Sequence, residues 1–156
     1  MSLSRTRFQH HGFTLIELLI VISVIAILAT IVIPRLMSAG RKAREATLRA
    51  NTRILRTAVE QFQSDCGMYP ADLNQLVADV GATPSMAGGG TAPAGLYQGP
   101  YFPKRGGIGN IGIPTNPFVP QSDSTIGSHW DYNATTGNVA SHVTGTTLDG
   151  VAYTAL

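Results

Sequence analysis

From Phe13 to Ile33 the chain reads FTLIELLIVISVIAILATIVI, 21 residues in which only Thr14, Glu17, Ser23 and Thr30 are polar. As an α-helix such a run rises about 32 Å, the depth of a bilayer's hydrocarbon core. Its β-branched stretch does not argue for a strand, because only a helix satisfies its own backbone in lipid. From Arg35 to about Ser64 the pattern stays helical but becomes amphipathic, with Leu36, Ala39, Ala43, Ala46, Ala50, Ile54, Ala58 and Phe62 recurring at three- and four-residue steps. Arg49, Arg53 and Arg56 lie largely to one side, with Arg56 and Glu60 spaced to pair. Gly67 is placed to end the helix, and Gly40 is a loose point within it. A short helix is expected over 71–80, then irregular chain over 81–120. Ten of the 17 glycines fall between Gly81 and Gly112, and seven of the nine prolines between Pro84 and Pro120. Residues 128–134 and 138–143 read as strands around the turn Thr135-Thr136-Gly137, with Trp130 and Tyr132 on one face. A last strand is expected over 151–155. The fold class is therefore α+β: a long helix laid on a small antiparallel meander of about three strands.

Composition sharpens the picture. The chain has 156 residues, 44% hydrophobic and 13% charged, so it is neither a charge-rich disordered protein nor long enough to wrap a helix that is apolar on every side. One cysteine, Cys66, excludes an internal disulfide and a cysteine-rich zinc framework; with no His-plus-acid setting around it, it reads as a packed hydrophobe. The net charge of +2 conceals a split: residues 1–56 sum to +7 and residues 57–156 to −5. A basic helical face suits nucleic acid, anionic headgroups, or a solvated or subunit-facing stripe answering the acidic half.

Residues 1–12 (MSLSRTRFQHHG) are a short basic leader ending at a glycine. The apolar run is too long for a secretory signal peptide, and no A-x-A-like cleavage site follows it. Glu17 is the anomaly. A carboxylate within an apolar helix costs about 2.5–3.5 kcal/mol on insertion scales and calls for a partner. No Lys, Arg or His lies between residues 13 and 34. The partner must come from another chain or from a new α-amine on Phe13, which cleavage after Gly12 would create about 6 Å along the helix.

The stretch Gly12 to Pro34, GFTLIELLIVISVIAILATIVIP, resembles the class III leader and N-terminal helix of the type IV pilin and type II secretion pseudopilin superfamily. The resemblance implies a pilin-like fold. It also implies a prepilin peptidase that cuts between Gly12 and Phe13 and N-methylates Phe13, and a Glu17 that pairs with the Phe13 amine of a neighbouring subunit during filament assembly. Pro34 matches the family's helix-bending proline, and a kink there follows independently from its missing N–H. The organisation is then a leader 1–12, a transmembrane or filament-core helix 13–34, an amphipathic helical half 35–66, and a head 67–156 with the irregular loop 81–120 and a C-terminal β-meander. Charge alone points the other way on orientation: Arg35, Arg41, Lys42 and Arg44 outnumber Arg5 and Arg7 and favour a cytoplasmic C-terminus. The resemblance implies a cytoplasmic leader, a single inner-membrane pass and a periplasmic head.

The G-x-Y-P-x-x-L-x-x-L pattern from Gly67 to Leu76 resembles the major pseudopilin, a protein G-like component of the general secretion pathway. The stretches 98–103 and 114–118 resemble its G-P-Y and D-P-W-like stations, with Asn116 and Phe118 where an acid and Trp are usual. That family's calcium loop finds only Asp123, Asp131 and Asp149 here, separated acids without a D-x-D cluster, so no cofactor is expected beyond a weak calcium possibility. His10 and His11 belong to the leader; His129 and His142 imply no third metal ligand. The glycine runs carry no nucleotide-binding fingerprint, and no catalytic constellation is present. The reading is a non-enzymatic subunit that polymerises with itself. The resemblance adds as partners the peptidase/methyltransferase, an inner-membrane assembly platform and minor pseudopilins. A type IV pilin for adhesion, twitching motility or DNA uptake is the alternative; nucleic acid is otherwise not an expected partner. A minor pilin whose loop and basic face bind DNA or a surface, and an anchored periplasmic enzyme, remain as further alternatives.

Overall fold

The computed structural model describes residues 13–79 and 81–156. The leader 1–12, with Gly12, Arg5, Arg7, His10 and His11, and also Val80, lie outside the described residues. The chain divides into two compact units, Met1–Gly40 and Arg41–Leu156.

In the first unit the long helix α1 (Leu15–Cys66) begins. It starts at a capping box: Thr14 Oγ1 accepts the Glu17 N–H (3.2 Å), while the Glu17 carboxylate accepts the Thr14 N–H (3.2 Å) and hydroxyl (3.1 Å). The hydroxyls of Ser23 and Thr30 turn back onto the carbonyls of Leu19 and Ile27, so neither is left seeking a partner along this face. Every large apolar side chain from Phe13 to Ile33 is at least 46% exposed. The helix continues through Pro34.

The second unit is built on the remainder of α1. Here the buried stripe is Glu45, Leu48, Thr52, Leu55, Val59, Phe62 and Cys66, with Ala58 beside it. This corrects the alanine-rich stripe expected from the sequence: Leu36, Ala39, Ala43, Ala46, Ala50 and Ile54 are exposed, and only Ala58 and Phe62 are shared. Burial follows apolar area, and the rotated face carries more of it in Leu48, Leu55 and Val59. Two polar residues ride on that face because both are bonded: Thr52 donates to Leu48 O (2.9 Å), and Glu45 accepts the Leu148 N–H (3.0 Å).

Gly67 ends the helix in the left-handed region (φ 83°), its N–H on Gln63 O at 2.8 Å. The expected helix over 71–80 is instead a 3-10 turn, Leu73–Val77, capped by Asp72, which accepts the Asn74 N–H at 2.7 Å. It stops early because the Tyr97 hydroxyl bonds the carbonyls of Gln75 and Ala78 and Ala78 turns extended. Residues 81–120 are irregular apart from a 3-10 turn, Ile108–Asn110. Tyr101 packs edge-on against Phe62 and Tyr97, which are tilted on each other, with centroids 5.5–6.2 Å apart.

A one-turn helix α2 (Ile126–His129) leads into β1 (Trp130–Asn133), which pairs antiparallel with β2 (Asn138–Ser141) in the register Trp130↔Ser141 to Asn133↔Asn138. Gly137 makes the turn at φ 70°, and a Cβ there would meet the Tyr69 ring at 2.3 Å. Trp130 is core, its indole N–H on Pro114 O at 2.7 Å. The sheet has two strands rather than three. The segment expected as the last strand makes one bridge, Thr146↔Ala152, and then a 3-10 turn, Tyr153–Ala155. Its Tyr153 ring turns inward to stack on Phe118 at 4.6 Å, and that burial competes with continued pairing. The architecture is a long helix on a small antiparallel sheet, an α+β pilin-like fold.

Candidate functional site

Two features stand out: the capped, apolar start of α1 and the basic side of its second half. At the start, Glu17 is held by Thr14 on its own chain. This partner is neutral and local rather than the positive charge expected, and Thr-x-x-Glu spacing is its capping signal in the sequence. Phe13 is 79% exposed; its bond to Gly12 lies outside the described residues. The helix Leu15–Cys66 is long and apolar enough over one window to cross a membrane.

On the second half of α1 the arginines do different work. Arg56 does not pair with Glu60 as its spacing suggested. It donates through Nε and Nη2 to Val139 O (3.0 and 2.8 Å) and through Nη1 to Leu156 O (2.8 Å). A guanidinium fork thus ties β2 and the last residue to the helix. Arg49 lies 3.7 Å from Asp149, both well exposed, and such a pair contributes little. Arg41 reaches Thr146 O (2.8 Å) and the buried Glu45 carboxylate (3.4 Å). The loop 145–152 is therefore docked on α1 through Glu45, a residue with no distinguishing mark in the sequence.

The three calcium candidates are each engaged separately. Asp123 accepts the Thr125 N–H at 2.8 Å, and that bond holds its carboxyl below the usual range. Asp131 meets His142 Nδ1 at 2.7 Å, and Asp149 faces Arg49. Among the described residues no three His, Cys, Asp or Glu side chains gather as metal ligands. Cys66 is buried, and that burial pushes its thiol up, which disfavours the reactive thiolate.

His129 is fully buried, with Nδ1 accepting the Asn116 N–H (3.0 Å) and Nε2 facing Asp123 O (3.0 Å). A donor on one side and an acceptor on the other require the Nε2–H tautomer. Asn116 completes the knot, its amide donating to His129 O (3.1 Å) and Ser141 Oγ (2.8 Å) while its Oδ1 accepts the Phe118 N–H (3.0 Å). The amide at the position where the resembling family has an acid is thus a structural hub.

The chain thus continues an apolar helix with one capped acid near its start into a small α+β head, and known proteins similar to it fall into two groups. Residues 7–33 match the prokaryotic N-terminal methylation motif. The chain is 36% identical over 76 residues to the type IV major pilin protein PilA of Myxococcus xanthus, covering 49% of this chain and 34% of that one. It is 40% identical over 67 residues to the type IV wide pilus major component PilA4 of Thermus thermophilus, covering 43% and 51%. Against the type II secretion system core protein G of Klebsiella michiganensis it is 29% identical over 112 residues, covering 72% and 70%. The matched stretches thus span a third to a half of the two pilins. No solved structure matches the chain. The chain is thus similar to type IV pilins and to type II secretion core proteins G, and it carries their kind of N-terminal methylation motif.

Proposed function

We propose that the chain is a structural, non-enzymatic subunit of a type II secretion pseudopilus, held in the inner membrane by its apolar helix until it polymerises into a filament that drives protein export. The leader 1–12 is cytoplasmic, and a prepilin peptidase cuts between Gly12 and Phe13 and methylates the new amine. The head stands in the periplasm, and assembly proceeds on an inner-membrane platform with minor pseudopilins. The observation that carries this reading is the conjunction of the methylation motif at residues 7–33 with an apolar helix whose large side chains have no cover among the described residues. In lipid those side chains are at home; in a filament the same faces pack on neighbours in an open, head-to-tail array. Glu17 waits in its capping box and then exchanges Thr14 for the Phe13 amine of a neighbour, which sets register. Pro34, lacking an N–H, loosens the helix where it leaves the membrane. Calcium plays no part in this scheme.

Relatives named as type II secretion core protein G, together with the Gly67–Leu76 pattern, favour the secretion reading. Relatives named as type IV pilins support a second one, a pilus subunit. Deletion of the chain in its host separates them. Loss of exported proteins from the medium with surface fibres intact supports the pseudopilus, and loss of surface fibres with export intact supports the pilus.

A further inference from the structure

Two adjoining depressions flank the Arg53–Thr57 ridge of α1. One, of about 380 Å³, is apolar and lined by Ile54, Ala58, Tyr101 and Phe102. The other, of about 410 Å³, is lined by Arg49, Arg53 and Arg56 with Glu60 and Leu156. Of these arginines, Arg56 is spent on backbone carbonyls and Arg49 sits in a long, exposed pair. Arg53 makes no hydrogen bond or ion pair to the described residues. Ile54 is 49% exposed. The surface therefore offers an apolar slot with a cation at its rim.

The same chain carries a complementary feature. The tip Leu148-Asp149-Gly150-Val151 presents an acid between two exposed aliphatic residues, Leu148 (43%) and Val151 (41%). Asp149 is 78% exposed at its side chain, with only the 3.7 Å contact to Arg49. The other head acids outside α1 have shorter engagements: Asp72 caps a turn at 2.7 Å, Asp79 meets Lys104 at 2.7 Å, Asp123 holds Thr125 at 2.8 Å, and Asp131 meets His142 at 2.7 Å. The tip is pre-formed. Thr147 N–H bonds Val151 O (2.8 Å), Gly150 N–H bonds Thr147 O (3.1 Å), and Leu148 N–H is anchored on buried Glu45 (3.0 Å). Docking it costs little ordering entropy.

We propose that the 148–151 tip of one copy seats its aliphatic side chains in the Ile54–Phe102 slot of a second copy, with Asp149 against the second copy's Arg53. Slot and tip are different patches, so the contact is heterologous and propagates rather than closing into a dimer. It links heads, and it converts the opposite charges of the helix and the head into a subunit contact. The contact rests on the filament reading and adds to it a second point of attachment besides the apolar helices.

The test uses full-length chains in membranes. One carries Thr57→Cys and the other Val151→Cys, with different affinity tags, both co-produced and oxidised; each alone, with its buried Cys66, is the background. Both positions lie on the surface, so folding is preserved. A disulfide-linked species bearing both tags is expected. Arg53→Glu in the first chain should lower it about tenfold, and Asp149→Arg in the second should restore it. Filaments released from the same cells by opening the outer membrane are scored by electron microscopy. Filaments without the mixed-tag species overturn the contact and leave the filament reading standing. The mixed-tag species without filaments supports the contact and overturns the filament reading. Absence of both overturns both.

Discussion

Asn116→Asp restores the acid that the resembling family carries at this station, and the structure says it should be harmful. Asn116 is fully buried and gives its two amide hydrogens to His129 O and Ser141 Oγ. Ser141 Oγ also accepts the Val143 N–H at 3.2 Å. An aspartate keeps the acceptor for Phe118 N–H but has no hydrogen to give. The bond to His129 O is lost, about 1 kcal/mol, while the Ser141 hydroxyl can turn to donate to the new carboxylate; that carboxylate then faces an acceptor carbonyl in a dry site, which adds about 1–3 kcal/mol. The sum is about 2–4 kcal/mol, or a melting point lower by about 6 °C or more for a unit of this size. Burial raises the new carboxyl's folded pKa above its unfolded value of about 3.9. The folded state therefore holds the proton longer, so the charge part of the penalty is absent at low pH and grows as pH rises through the folded pKa. Asn116→Ala removes the same donors without the charge and should show the pH-independent part alone. Thermal unfolding of the detergent-solubilised full chain and both variants, from pH 3 to 8, reads all three quantities. A variant Asn116→Asp that melts within about 2 °C of the parent at pH 7 would refute the donor argument. A penalty that does not vary with pH would refute the charge argument.

Three further outcomes are expected. Glu17→Ala leaves a membrane-inserted, processed chain that is absent from filaments released by opening the outer membrane; normal incorporation would remove Glu17 from assembly. Gly12→Leu leaves a leader-bearing band on a gel, and a band of processed size would count against cleavage after Gly12. Gly112→Ala costs about 3 kcal/mol or more, because φ is 89° and a Cβ would sit 1.9 Å from Pro103 O. Gly127→Ala, with nothing within 4 Å of its Cβ, is the control and should melt with the parent.

Local, periodic features were legible in advance. The run Phe13–Ile33, the helix stop at Gly67 and the Thr135–Gly137 hairpin depend on residues near one another in the chain, and each stands where the sequence placed it. So does the burial of Trp130, whose size pays for a place in the core. Three expectations failed for one reason: they turned on partners distant in sequence. The buried face of α1 runs through Glu45, Leu48 and Leu55 rather than along the alanines, because the head covers the face with more apolar area and supplies the Leu148 N–H to Glu45. The 71–80 helix shrinks to Leu73–Val77 because Tyr97, some 20 residues on, takes its carbonyls. The third strand dissolves because Tyr153 gains more by stacking on Phe118 than by extending the sheet.

The sequence by itself determined the membrane-length helix, its single acid and the N-terminal methylation motif, since hydropathy, spacing and motif are properties of one short stretch. Only the tertiary structure decided what the polar residues do. Arg56 clasps β2, Asn116 locks His129, and the calcium candidates are engaged one by one with nearer partners. A polar side chain's role depends on which donors and acceptors the fold brings within about 3 Å, and linear spacing carries little of that information.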